Sequence, residues 1–344
     1  MSNENGMRAL FPDARDRKAV ETAITEDMKA RRKLPTSPIH LTASTTLASN
    51  SSGGVNAISL RNPLNQPMEI LETKWRLDIA KDVGNLLGGL VGCKLDLGKY
   101  PITNGFVPVW SFGRSENLSE ERIPSPGIVG PAGTLTMAFE YTWRLPMPLY
   151  VPIGAALIPT FQHRGMLADS VDVRISYSGR TLPLDTPPPK KIVLPYVAAF
   201  SSKVIDAQTS TFDQSVETDL VNSFSQPIHL QGFSGRGLVI RNDNLAVSAE
   251  SLSNGEAMIS NALSVRMVDS NGRPIVRNFT RFRTAFAAAT RFWGMENGAT
   301  MDPRSFYLAF LRFTPLAVPP IVPVTLQAFI ALTGWRDLSE GGVA

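Results

Sequence analysis

The sequence predicts an all-β protein, two β-sandwiches in tandem behind one N-terminal helix. Three observations predict it. Apolar and polar residues alternate with period two in many short runs after about residue 57, and no strand–helix–strand rhythm interrupts them. Glycine and proline, 26 of each, punctuate those runs as turns. A short motif is written twice, LRNPLNQPMEIL at 60–71 and LVNSFSQPIHLQ at 220–231, so that Leu60, Asn62, Gln66 and Pro67 return 160 residues later as Leu220, Asn222, Gln226 and Pro227.

Residues 13–34 read as an amphipathic helix. Asp13 can cap it, and Ala19, Val20, Ala23, Ile24 and Met28 make a narrow apolar stripe on an otherwise charged surface. Pro35 stops it. So narrow a stripe fits a helix lying on something rather than buried in a core. Residues 44–56, STTLASNSSGGVN, read as a flexible connection. Strands follow. In LETKWRLDI (71–79) Leu71, Thr73, Trp75, Leu77 and Ile79 fall on one side. In TLTMAFEYTW (134–143) Leu135, Met137, Phe139, Tyr141 and Trp143 do the same. SVDVRISY (170–177) puts Val171, Val173, Ile175 and Tyr177 inward. The second half offers RGLVIRN, ALSVRMVD, SFYLAFLRF and VTLQAFIAL.

TLPLDTPPPKK (181–191) is the hinge, because three consecutive prolines stiffen it and cannot sit inside a ladder. The expected domains are an arm at 1–56 carrying the helix, a first sandwich at 57–182, a linker at 183–191 and a second sandwich at 192–344. The repeat supports that division at its other end. VRISYSGRTL closes the first half and FIALTGWRDL the second, with Gly179 matched to Gly334. Between them, PLYVPIGAALIP (148–159) aligns with SFYLAFLRFTP (305–315), Tyr150 against Tyr307. The offsets are 160, 157 and 155, the steady register of a duplication with loop insertions. Eight strands in each unit of this length is jelly-roll scale, so the expected fold is two tandem eight-stranded jelly rolls with short inserted helices.

Composition narrows the function. Apolar residues make up 43 % of the 344 and charged residues 19 %, a globular balance poor in charge. The formal net charge of +4 is a weak footprint for nucleic acid. The single cysteine, Cys93, excludes an internal disulfide framework and fits a reducing compartment. The N-terminus shows no apolar core of a secretion signal. VGNLLGGLVG (83–92) is too short to span a bilayer, and PLAVPPIVPVTLQAFIAL (315–332) carries four prolines and reads as a buried strand.

Catalytic chemistry is hard to find. His40, His163 and His229 are far apart, with no metal-ligand spacing between them, and read as surface or interface side chains. Cys93 lies between apolar residues and reads as an inert buried thiol. Glu116, Glu120 and Glu121 cluster in a polar, turn-rich loop without the apolar surroundings that a general acid needs. GFSGRG (232–237) is turn-like and specifies little. RNFTRFRTAFAAATRFWG (277–294) interleaves Arg277, Arg281, Arg283 and Arg291 with aromatics, a pattern that can hold single-stranded nucleic acid. The alternative is a strand and short helix whose aromatics pack on a sandwich, and the low overall charge favours it. No catalytic, cofactor-binding or metal-binding residue is assigned.

The paired openings LRNPLNQPMEIL and LVNSFSQPIHLQ, the paired closings ISYSGR and IALTGWR, the proline-rich link and the charged N-terminal helix together resemble the double jelly-roll major capsid proteins of tailless icosahedral viruses, the lineage that joins membrane-containing bacteriophages with adenovirus. The resemblance covers residues 13–340 and is architectural. It implies a structural virion protein without enzyme activity or cofactor. It implies a homotrimer with six similar lobes, a pseudo-hexamer that tiles an icosahedral capsid beside neighbouring capsomers. Minor capsid, vertex or cement proteins are the implied further partners, with an internal membrane met through the N-terminal helix and no specific nucleic acid. The implied location is the virion, after synthesis in the host cytoplasm. Two rival readings remain. One is a two-domain glycan-binding or glycan-processing protein using Trp75, Trp110 and Trp143 as platforms, although Trp75 and Trp143 fall on the inward phase of their strands. The other is a nucleic-acid-binding protein using 277–294 and the helix.

Overall fold

The computed structural model describes residues 14–48, 55–79, 91–112, 122–124, 137–163, 170–189, 191–200, 203–206, 214–241, 262–286, 300–314 and 324–338. The helix α1 (Ala14–Arg32) comes first. A first set of strands follows: β1 (Pro38–Leu47), β2 (Val55–Ala57), β3 (Leu60–Arg61), β4 (Met68–Ile79), β5 (Val91–Leu97), β6 (Tyr100–Pro101), β7 (Val107–Pro108), β8 (Arg122–Pro124), β9 (Met137–Val151), β10 (Ala156–His163) and β11 (Val171–Thr181). A 3-10 turn, Val109–Phe112, follows β7. The second set is β12 (Val193–Ala199), β13 (Lys203–Asp206), β14 (Gln214–Val221), β15 (Ile228–Arg241), β16 (Leu263–Asp269), β17 (Pro274–Arg281), β18 (Thr300–Met301), β19 (Phe306–Phe313) and β20 (Val324–Asp337). One helical turn, α2 (Phe282–Ala285), follows β17.

Each set folds into two antiparallel sheets. In the first, one sheet runs β1-β11-β4-β9-β8; the other runs β2-β10-β5-β6, with β3 on β10 and β7 on β5. In the second, the orders are β12-β20-β15-β18, with β13 on β20, and β14-β19-β16-β17. Apart from β8, which has no counterpart among the described strands, the orders correspond, β1-β11-β4-β9 with β12-β20-β15-β18 and β10-β5 with β19-β16, so the chain is two jelly rolls of one topology, a double jelly roll. In each roll a sheet that holds the first and last strands faces a sheet made from the middle ones, and the two inner faces form the core.

The alternation read from the sequence buries the residues it should. On β11, Val171, Val173, Ile175 and Tyr177 are all buried, and on β4 so are Thr73, Trp75 and Leu77. Leu71 departs from the expectation and is 42 % exposed. It is the extra residue of a β-bulge, where the neighbouring residues Ser178 and Gly179 of β11 pair with Glu72 and Ile70 of β4 and leave Leu71 unpaired between them. One inserted residue shifts the side-chain phase by a half period, so Leu71 turns outward.

Two sequence readings are corrected. Residues 44–47 are not a flexible connection but the end of β1, which pairs with β11 over its whole length from Pro38↔Arg180 to Leu47↔Val171. β1 therefore adds to the sheet of the first set of strands ahead of residue 57. Ser and Thr make this strand look like a linker because its outer side is wet. Second, Tyr150 is not the counterpart of Tyr307. Tyr150 lies on β9, whereas Tyr307 lies on β19 opposite Leu220, as Leu157 on β10 lies opposite Leu60. Leu157 is thus the counterpart of Tyr307, 150 residues apart. The register is not steady: it is 160 at Asn62 and Asn222 and 173 at Pro101 and Pro274, because loops absorb the insertions and strands do not. Residues 83–90 and 315–323 of the two apolar stretches lie outside the described residues.

Candidate functional site

The repeated motif does one mechanical task twice. Asn62 folds its side chain over its own turn: its Oδ1 accepts from Leu64 N–H at 3.0 Å and its Nδ2 donates to Gln66 O at 2.8 Å. Nδ2 also reaches Pro152 O at 3.4 Å in the β9–β10 turn, and Asn62 N–H donates to Ala155 O. Asn222 repeats this with Phe224 N–H, Gln226 O, Met301 O, Asp302 O and Ser305 O. Both asparagines are buried, so each amide satisfies backbone groups that water cannot reach. The tied turn carries a left-handed residue in both rolls, Gly154 at φ 73° and Arg304 at φ 62°. The paired glycines are explained as well. A Cβ on Gly179 would meet Glu69 O, and one on Gly334 would meet His229 O, each beside the bulge of the neighbouring strand.

The rolls meet through unlike surfaces. On β20 the even-numbered side chains Ala328, Ile330 and Leu332 join the second core. From its other face Phe329 joins the first core, along with Leu194 and Val197 of β12. The run from Ala328 to Asp337 is buried throughout. Val197 is bridged in parallel to Thr103 of the first roll, its N–H donating to Ile102 O at 2.9 Å and its carbonyl accepting from Asn104 N–H at 3.0 Å. The 3-10 turn Val109–Phe112 packs beside this bridge against β12 and β20. Arg336 donates across the junction to Pro101 O and lies 3.6 Å from the Phe224 ring centre. Burial lowers its pKa to about 10, which leaves it a cation at neutral pH.

α1 lies on both rolls. Its Ile24 packs with Trp335, Met28, Met147 and Val193. Its Arg31 is held by Asp27 at 2.8 Å, by Glu69 at 3.5 Å and by Pro187 O of the linker at 3.0 Å. Glu69 also takes Arg180 at 2.6 Å, so one buried carboxylate of β4 ties α1 to β4 and β11. Beside it, Lys191 pairs with the buried Asp337 at 2.9 Å. The expectation of a helix lying on something holds, and the support is the joint base of both rolls.

The residues weighed for chemistry are dispersed. His40 is exposed on β1, bonded to Ser178 Oγ at 3.0 Å; His163 is buried at the end of β10; His229 stacks on Trp335 at 4.0 Å. Cys93 is fully buried, and burial pushes its thiol up to about 12. Glu116, Glu120 and Glu121 lie outside the described residues. Trp75 and Trp143 form an aromatic cluster with Phe112 inside the first core and offer no platform; the Trp110 side chain lies outside the described residues. Among the described residues no group of three or more His, Cys, Asp and Glu could hold a metal ion, and no helix is long and apolar enough to cross a membrane.

The aromatic-basic segment proves to be part of the repeat. β17 with α2 has the register of β6, β7 and the 3-10 turn: Pro101 opposes Asp96 as Pro274 opposes Val268, and Val107 opposes Cys93 as Thr280 opposes Val265. YPITNGFVPVWSF (100–112) and RPIVRNFTRFRTA (273–285) therefore correspond residue for residue, and Pro, Ile and Phe agree at Pro101/Pro274, Ile102/Ile275 and Phe106/Phe279. That agreement was the signal by which the sequence could have shown it. Phe282 and Phe286 are buried in the second core, while Phe279 is exposed beside Arg312. Residues 287–294 lie outside the described residues.

No protein-family model matches the chain, and no curated protein matches it. Among solved structures it is similar to the STIV major capsid protein, at 13 % identity and a TM-score of 0.42, over 87 % of this chain and 96 % of that one. It is similar to the PBCV-1 virus capsid, at 9 % and 0.49, over 91 % and 98 %. It is also similar to PNGase F, a glycosylasparaginase from Flavobacterium meningosepticum, at 8 % and 0.27, over 86 % and 96 %. All three identities are far below those that carry function.

Proposed function

We propose that this chain is a shell protein, the major capsid protein of a tailless icosahedral virion, whose homotrimers form pseudo-hexameric capsomers. One observation carries the reading. Two rolls of one topology are joined by a contact between unlike surfaces, which covers the outer sheet of the second roll and leaves the outer sheet of the first available. A contact between unlike surfaces can be repeated from chain to chain until a ring closes. Three chains then present six similar lobes around one axis, a shape that paves a flat facet.

The working partner in this reading is the chain itself, within the trimer and between neighbouring capsomers. Minor capsid, vertex or cement proteins would dock on that surface, and the site of action is the virion after synthesis in the host cytoplasm. The domains are a helical arm, rolls beginning near Pro38 and Val193, and the proline link between them. Contact with an internal membrane would be electrostatic. Ile24 and Met28 of α1 pack with Trp335 and Met147, whereas Lys29, Arg32 and Lys33 are exposed and favour anionic head groups. The role is structural rather than enzymatic: the aromatic platforms that a glycan site would use at Trp75 and Trp143 are core residues.

Light scattering behind a sizing column tests the reading. A species near three times 37.4 kDa, or shells made from it by electron microscopy, is the expected result. A monomer at every concentration, with no shell, overturns it.

A further inference from the structure

The contact inside one chain specifies the contact between chains. Val197 is the point on β12 where the first roll's segment Ile102–Asn104 attaches. Register fixes the counterparts of both sides. On β12, Val197 is one residue beyond Tyr196, which opposes Gly334; on β1, His40 is one residue beyond Ile39, which opposes Gly179. Pro38 and Pro195 agree in the same alignment. His40 is therefore the counterpart of Val197. On the other side, Pro101 and Pro274 hold the same register, Thr103 N–H donates to Leu95 O where Val276 lies opposite Met267, and Arg277 is therefore the counterpart of Asn104.

We infer that the strand edge of β1 at His40 receives the segment Ile275–Arg277 of a second copy of this chain, by the two backbone hydrogen bonds that Val197 makes within the chain. This rests on the shell-protein reading and names its contact. Three further observations support it. β1 and β17 are both terminal strands of their sheets, the positions where an added segment can pair. α2 follows β17 at the place where the 3-10 turn Val109–Phe112 follows β7, and that turn is what packs on β12 and β20. The outer sheet of the first roll is also polar where its counterpart is apolar: Thr42, Arg174 and Ser176 stand where the second roll has Ala199, Phe329 and Ala331. A face covered as the chain folds can be apolar. A face that stays wet until another chain arrives is no more apolar than the rest of the surface, as interfaces between separately folded partners are. Residues 40 and 277 lie on different patches, so when the contact is made once between two chains it is heterologous and propagates into a ring or a filament, whereas a reciprocal pair of such contacts would close a two-fold dimer.

The test places one cysteine at each side in the full-length chain, His40→Cys with Arg277→Cys, both at exposed positions. The soluble protein is treated with a short bis-maleimide and run under denaturing conditions, with each single variant as control. The inference expects covalent two-chain and three-chain species from the double variant and none from either single variant. Trimers by light scattering with no covalent species would overturn the inference and leave the shell reading standing. A monomer with no covalent species removes both. Covalent species running past three chains without limit would support the contact and remove the closed tile.

Discussion

At the scale of single residues, the repeat is a set of paired solutions to the same local problem. Asn62 and Asn222 each close one corner and tie it to a distant turn, between β9 and β10 in one roll and between β18 and β19 in the other. Replacing either by alanine leaves buried backbone groups without a partner, and the expected cost in denaturant unfolding is about 2 kcal/mol for each. The positive-φ position shows the same problem solved well once and poorly once. Arg304→Gly should stabilise the protein by up to about 1 kcal/mol, and Gly154→Ala should destabilise it by a similar amount, since no atom lies near enough to clash and only the backbone angle is at issue. Cys93 bears on chemistry rather than on the repeat. Burial raises its pKa to about 12 from an ordinary 9.0, so at pH 8 the thiol is protonated and shut away. Its reaction with an aromatic disulfide reagent should follow the global unfolding rate. An acid whose pKa rises on folding contributes its full stability below 9.0 and loses it as pH climbs toward 12, so the native state weakens over that alkaline range.

At the scale of elements, α1 is the part whose role the sequence left most open. Its charged surface and thin stripe indicated a helix resting on a support, but not which support. The answer depends on Glu69, a residue of β4 that receives Arg31 from α1 and Arg180 from β11. Removing one member of a buried ionic group strands the others, so Glu69→Gln should cost about 3 kcal/mol. Ile24→Asp would break the apolar half of the same attachment and should release α1 while the rolls stay folded. Hydrogen exchange would show it as rapid exchange confined to Ala14–Arg32. Replacing 1–35 by a short linker should likewise keep both rolls and impair assembly, and normal assembly of that variant would take α1 out of the shell reading. β1 shows why some elements were illegible. Its partner, β11, is more than 120 residues away, and one face is rich in Ser and Thr, so local pattern alone matched a linker.

At the scale of the molecule, two rolls behave as one body because they share a core. Leu194, Val197 and Phe329 belong by sequence to the second roll but pack in the first. Heat or denaturant should therefore unfold both rolls in one transition, with near-ultraviolet and far-ultraviolet signals coincident. Two separated transitions would show that the shared core is energetically minor. The shared core also accounts for the asymmetry between the outer sheets: the one it covers carries Phe329 and Ala331 where the other carries Arg174 and Ser176.

The sequence by itself determined the fold class, the duplication, the place of the proline link and the inward residues of the well-patterned strands, because side-chain alternation and turn residues act locally. Tertiary structure alone decided the true register of the two copies, the pairing of β1, the seat of α1 and the sides by which the rolls meet. Those depend on pairings between distant segments. A bulge of one residue or an insertion in a loop changes such pairings without changing the local pattern on either side.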